Sequence, residues 1–155
     1  MPVLLQNRQR AVAVDRAWLG LTAEAVLSAA RAGSAELSLM LVSDRRIRAL
    51  NRRYRKKDRP TDVLAFPLLE RGQICFPRRK INLSPVLLGD VVISMPTAKR
   101  QAAALGHSLR AEITRLLVHG VLHLLGYDHE RSERDALRMA HRETMILRAI
   151  QRKGN

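Results

Sequence analysis

Three histidines near the C-terminal end have the residue type and spacing for metal chemistry. They lie in the run His119-Gly120-Val121-Leu122-His123-Leu124-Leu125-Gly126-Tyr127-Asp128-His129. A helix turns every ~3.6 residues, so His119 and His123 project from one face, one turn apart. Gly126 can take the left-handed conformation that ends a helix, and the chain can then fold back to bring His129 to the same point. Three converging imidazoles with a fourth position left to solvent make a catalytic zinc site. The competing reading is a pair of satisfied core histidines. Leu116, Leu117, Val118, Val121, Leu122, Leu124 and Leu125 make this helix apolar nearly all round. Polar rings buried there need partners, and a metal would supply one to each.

The reaction type turns on Gly120. The histidine spacing is that of metzincin proteases, which carry glutamate as general base directly after the first histidine. Gly120 has no side chain, so a peptidase reading keeps the metal and loses the base. A metal alone can still acidify water and polarise a phosphoryl oxygen. A phosphodiester then needs positive charge on the developing oxyanion, which the planar fork of arginine supplies. Candidates in the basic segment are Arg52, Arg53, Arg55, Lys56 and Arg59; each is otherwise a solvated helix position.

Composition narrows the partners. The chain has 155 residues, enough for one domain with a real core. Lys and Arg number 28 against 14 Asp and Glu, a formal charge of +14. This favours a polyanion, nucleic acid or an anionic membrane surface, unless the charge only solvates the surface. Nine of the fifteen residues from Arg45 to Arg59 are basic and one, Asp58, is acidic; Arg78-Arg79-Lys80 form a second cluster. Aromatic residues make up 3 %, too few for a broad base-stacking platform, so recognition runs mainly through phosphates. Cys75 is the lone cysteine. It excludes an internal disulfide and thiolate-rich zinc, and with no secretory signal or membrane span in view it fits the cytoplasm.

The elements that must position these residues alternate between strands and helices. Val3 to Leu5 reads as a strand. Asp15 to Ala32 reads as a helix with Trp18, Leu21, Ala25 and Ala29 on its inner face and Gly33 as its stop. Glu36 to Val42 alternates as a strand. Ser43 or Asp44 caps a helix with Ile47, Leu50 and Tyr54 inward. Val63 to Phe66 reads as a buried strand stopped by Pro67, and residues 68–85 as irregular. Asp90 to Ile93 is a further strand, and Pro96 starts a helix that Gly106 breaks. Ser108 caps the histidine helix. Ser132 opens a last helix with Leu137, Met139, Ile146 and Ile150 as core; Met139 and Met145 read as core residues rather than as a metzincin Met-turn. Together these predict an α+β layer with helices packed on a small sheet.

Four blocks in order resemble the YbeY family of bacterial metal-dependent endoribonucleases. They are Leu50-Asn51-x-x-Tyr54-Arg55-x-x-Asp58-x-Pro60-Thr61-Asp62-Val63-Leu64-Ala65-Phe66-Pro67, Leu88 to Ser94, Gly106-His107-Ser108, and the histidine run. The resemblance implies a zincin-like single domain over 1–155, with helices on a mixed four-stranded sheet. It implies one zinc on His119, His123 and His129, with Arg55 and His119 as catalytic residues. It implies single-strand-specific RNA cleavage at the 3′ end of 16S ribosomal RNA and a role in ribosome quality control. The partners implied are the small ribosomal subunit, with ribosomal proteins or ribosome-associated GTPases, and neither membrane nor DNA. Ala65 departs from a frequent family serine, and the last helix is more basic than the family pattern.

Around the site, Asp128 and Tyr127 either support the metal shell or pack the loop. His107 reads as a capping residue before a pocket residue. Glu112, seven residues before His119, either orients that imidazole or caps the helix. Two other functions stay open: a non-catalytic RNA-binding assembly factor whose zinc only stabilises the fold, and a hydrolase of another bond.

Overall fold

The histidine helix lies against a sheet that only a side-chain-free position lets it approach. The computed structural model describes residues 3–68 and 86–154. Cys75 and the Arg78-Arg79-Lys80 cluster lie outside the described residues. The element order is β1 (Val3–Asn7), α1 (Arg16–Ala29), β2 (Glu36–Val42), α2 (Asp44–Arg55), β3 (Val63–Pro67), β4 (Leu87–Ser94), α3 (Met95–Leu105), α4 (Leu109–Leu124) and α5 (Glu133–Gly154). The strands form one mixed sheet in the order β1-β2-β4-β3. β1 and β4 run parallel to β2, and β3 runs antiparallel to β4. This is the expected α+β fold with helices on a mixed four-stranded sheet.

Strand alternation divides the core in two. Leu37, Leu39, Leu41, Val91 and Ile93 face α1, α4 and α5 in the larger cluster. Their neighbours Val42, Val92 and Leu64 face the other way and meet Ile47 of α2 in the smaller one. Successive side chains point to opposite faces of a strand, so one sheet serves two cores. Among the described residues α2 covers this second face, tied at its N-terminal end to α3 through Asp44 and Arg100, and most of its remaining surface is exposed.

Several expectations need correction. The inner face of α1 is Leu19, Ala23, Val26 and Leu27, while Leu21 is 69 % exposed. The helix also stops before Gly33: Arg31 takes the left-handed conformation at φ 61°. This early stop places Ala32 and Ala35 in the core. β3 is an edge strand in which Leu64 alone is fully buried, and Pro67 ends it where no further strand needs its missing N–H. Tyr54 is exposed and meets Phe66 edge-on, 5.2 Å between ring centroids. On α5, Met139 and Ile146 are buried, but Leu137 is 71 % and Met145 49 % exposed. Those two lie off the stripe that Met139 and Ile146 define at helical spacing.

Gly120 is where α4 crosses β4. A Cβ built there would meet Val91 Cγ1 at 2.8 Å and Cγ2 at 3.1 Å. Valine is stiff at χ1, so its methyl groups cannot swing away cheaply. Gly120→Ala gains about 1 kcal/mol of helix propensity and meets an overpacking cost of about 1–3 kcal/mol. We expect a net loss of stability in thermal unfolding, and a neutral or stabilising effect of the same change in a Val91→Ala background. Equal effects in the two backgrounds would show that Val91 does not set the limit.

Candidate metal centre

The last turn of α4 and the turn after it bring the three histidines together. Ser108 caps the start of α4, its hydroxyl accepting from the Ala111 N–H at 3.1 Å. At the other end Gly126 sits at φ 95°. Its N–H donates to the His123 carbonyl and the Tyr127 N–H to the Leu122 carbonyl, both at 3.0 Å. This pair of bonds is the glycine-terminated helix end. Tyr127 then packs against the main core. The Asp128 side chain accepts from the Glu130 N–H at 2.9 Å, and this local turn carries His129 back over the helix end.

The imidazoles of His119 and His123 lie 4.7 Å apart between centroids, and His129 is 5.3 Å and 5.2 Å from them. One ring nitrogen from each falls in a cluster spanning no more than 4.8 Å. His119 Nε2 and His123 Nε2 are 3.2 Å apart. Two nitrogens held at 2.0–2.1 Å by one tetrahedral ion would be separated by about 3.3 Å.

The other nitrogen of His119 fixes which edge faces this point. His119 Nδ1 lies 2.6 Å from Glu143 Oε1 on α5. An ionised carboxylate only accepts, so Nδ1 carries the proton and Nε2 presents its lone pair. Burial pushes the pKa of His123 down to about 4, aided by repulsion from His119 and His129. Its neutral ring is the form that binds metal. The donor set, its spacing and the carboxylate behind it fit a divalent ion that prefers imidazole.

The histidines open into a cavity of about 620 Å³. Arg55, Lys57, Arg59 and Asp62 also line it. Arg55 reaches it from the last turn of α2, loosely tied to Glu130 at 3.6 Å. Lys56 takes the left-handed conformation at φ 57° and ends α2. Asn51 is buried and donates to the Arg59 carbonyl at 2.9 Å, which holds the following loop against α2. Of the basic candidates, Arg55 and Arg59 reach this cavity, whereas Arg52 and Arg53 lie on another surface and Lys56 lines neither.

Glu112 does not orient His119. It is fully buried and held by Arg115, His107 and Gln101. Burial alone would raise its pKa, but hydrogen bonds from Arg115 and His107 and the charge of Arg115 hold it below the usual carboxylate value. His107 is thus a partner of Glu112, and Ser108 does the capping. Tyr127 packs against the core, while Asp128 shapes the loop and also lines the cavity, where its charge acts on His123. The residue behind His119 that was missed is Glu143. It sits four residues after Met139 and three before Ile146, both buried. A carboxylate on the inward stripe of an amphipathic helix is a signal the sequence contains.

Fold and site define a small α+β protein with a three-imidazole candidate metal centre in a basic cavity. A family model described as Endoribonuclease YbeY matches residues 4–151. The chain is 46 % identical to "Endoribonuclease YbeY" of Aquifex aeolicus over 145 residues, 94 % of this chain and 89 % of that one. It is 47 % identical to the protein of the same name from Pelotomaculum thermopropionicum over 151 residues, 95 % of each. The chain belongs to the endoribonuclease YbeY family. The solution structure of TM1509 from Thermotoga maritima shares the fold, with a TM-score of 0.64 at 23 % identity over 97 % of this chain and 90 % of that one.

Glu143→Gln keeps the shape of the side chain and removes the charge behind His119. We expect metal affinity, read by chelator competition, to fall about 10- to 100-fold. Wild-type affinity in this variant would show that Glu143 only packs α5 onto α4.

Proposed function

We propose that this chain is a zinc-dependent endoribonuclease that cuts single-stranded RNA. Its proposed task is maturation of the 3′ end of 16S ribosomal RNA and ribosome quality control, in the cytoplasm, with the small ribosomal subunit as partner. The observation that carries the reading is one cavity shared by three converging imidazoles and the Arg55 guanidinium. Family membership supports the same reading: the relatives are named endoribonucleases. None of the described helices is long and apolar enough to cross a membrane.

His119, His123 and His129 would hold the ion through ring nitrogens. When bound, it supplies a Lewis acid that polarises a phosphoryl oxygen and acidifies water. Glu143 keeps His119 in the tautomer that can bind. Arg55, Lys57 and Arg59 give the cavity wall the charge that a phosphodiester requires. Among the described residues Arg55 is tied through one long, exposed ion pair, which leaves its guanidinium able to pair with a phosphate in two hydrogen bonds.

Peptide hydrolysis fits less well. Any side chain at position 120 would start into Val91 of β4, so no glutamate base can stand there without moving the helix. A zinc that only stabilises the fold also fits less well. Structural sites are closed by four protein ligands, and three come together among the described residues.

His123→Ala should lose both bound metal and RNA cleavage. Arg55→Ala should keep the metal and lose cleavage by about 10²-fold, the usual effect of removing one charge-stabilising donor. Metal analysis and cleavage assays on the same preparations check both. Wild-type cleavage by Arg55→Ala would remove the role assigned to it.

A further inference from the structure

The basic run from Arg45 to Arg59 does not form one surface. Arg55, Lys57 and Arg59 open into the histidine cavity. Arg45, Arg48, Arg52 and Arg53 line a separate concavity of about 480 Å³ on the outer side of α2. Arg45, Arg48 and Arg52 are spaced three and four residues apart, so they form one stripe along the helix. All four arginines are exposed. Asp58 is the one acid lining the concavity among the described residues, and Arg48 already holds it at 3.0 Å. Arg45 and Arg52 form no salt bridge with a described residue.

Helix stability does not account for this stripe. Cations are favourable in the last turn of a helix, which covers Arg52 and Arg53. Arg45 and Arg48 stand in the first half, where the helix dipole opposes them. Arginines three and four residues apart also repel each other. A bound polyanion would relieve both costs. α2 covers the second core with Ile47, and among the described residues no other element covers this side.

We propose that the outer face of α2 is a second binding site for the RNA backbone, separate from the cavity where the chain is cut. The proposal rests on the function proposed above and adds where the flanking strand lies. Arg45 to Arg52 spans about 10 Å along the axis, room for successive phosphates of a single strand. The same helix delivers Arg55 to the cavity at its C-terminal end. A strand whose scissile phosphate lies at the histidines therefore continues along α2 toward its N-terminus. Arginines there set the affinity for longer substrates without touching the reacting phosphate.

The test compares zinc-loaded wild type with the double variant Arg45→Gln, Arg52→Gln, which keeps helix propensity. Two RNAs are used, a dinucleotide whose one phosphodiester sits in the cavity and an oligonucleotide long enough to run on along α2. Binding is read by stopped-flow anisotropy over a range of salt, and cleavage by initial rates. For the longer RNA the variant should bind about tenfold more weakly at low salt, with a log Kd against log salt slope smaller by about 1.4. For the short RNA, binding and kcat should be unchanged. An equal loss for both lengths, or no loss for either, overturns the proposal. If wild type cleaves neither RNA but the length-dependent binding loss appears, the second site stands and the nuclease reading fails.

Discussion

A helix buried on almost every side carries two polar rings at its inner end, and the arrangement around it answers that constraint. α4 is apolar nearly all round because it packs on the sheet on one side and on α1, α3 and α5 on others. His119 and His123 are half-buried, and the edge each shows is turned toward the open cavity. Glu143 meets the other edge of His119, and the turn at Gly126 returns His129 over the helix end. What remains is one ring nitrogen from each of three imidazoles within 4.8 Å of the others, a donor set that one cation can satisfy. Gly120 lets this helix lie close against Val91 of β4.

Charge is arranged on two scales. Close to the imidazoles it is local: burial and mutual repulsion keep His123 neutral, and one carboxylate sets the tautomer of His119. Farther out, the formal +14 of the chain places arginines on α2 and its following loop. The two scales meet at Arg55. It stands at the end of a solvent-facing helix and lines the same cavity as the histidines. The sheet makes this possible, because among the described residues α2 is the helix that packs on the second core while its outer arginines stay exposed.

The convergence of the three histidines was legible because they are nearly contiguous. Helical spacing, a helix-ending glycine and a short return are local rules, and each held at its position. The strands were legible for a similar reason, since alternation in Glu36 to Val42 needs only neighbours to read. What escaped depends on contacts between distant segments. Glu143 lies 24 residues from His119 and meets it only because α5 docks on α4. The inner face of α1 was misread because leucines stand on both sides of that helix, and packing alone decides between Leu19 and Leu21. Its end was misplaced for the same kind of reason: burial of Ala32 and Ala35 makes Arg31, not Gly33, adopt the left-handed turn. The division of the basic run into two surfaces likewise needs the sheet in place before it can be seen.

In the proposed centre three imidazoles hold one ion and leave a position open to solvent. Zinc-edge X-ray absorption on the metal-loaded protein tests it most directly. One zinc per chain is expected, bound by three imidazole nitrogens at about 2.0–2.1 Å and one further light-atom ligand from solvent. A spectrum with four protein ligands, or a protein that retains no zinc after removal of excess metal, would contradict it.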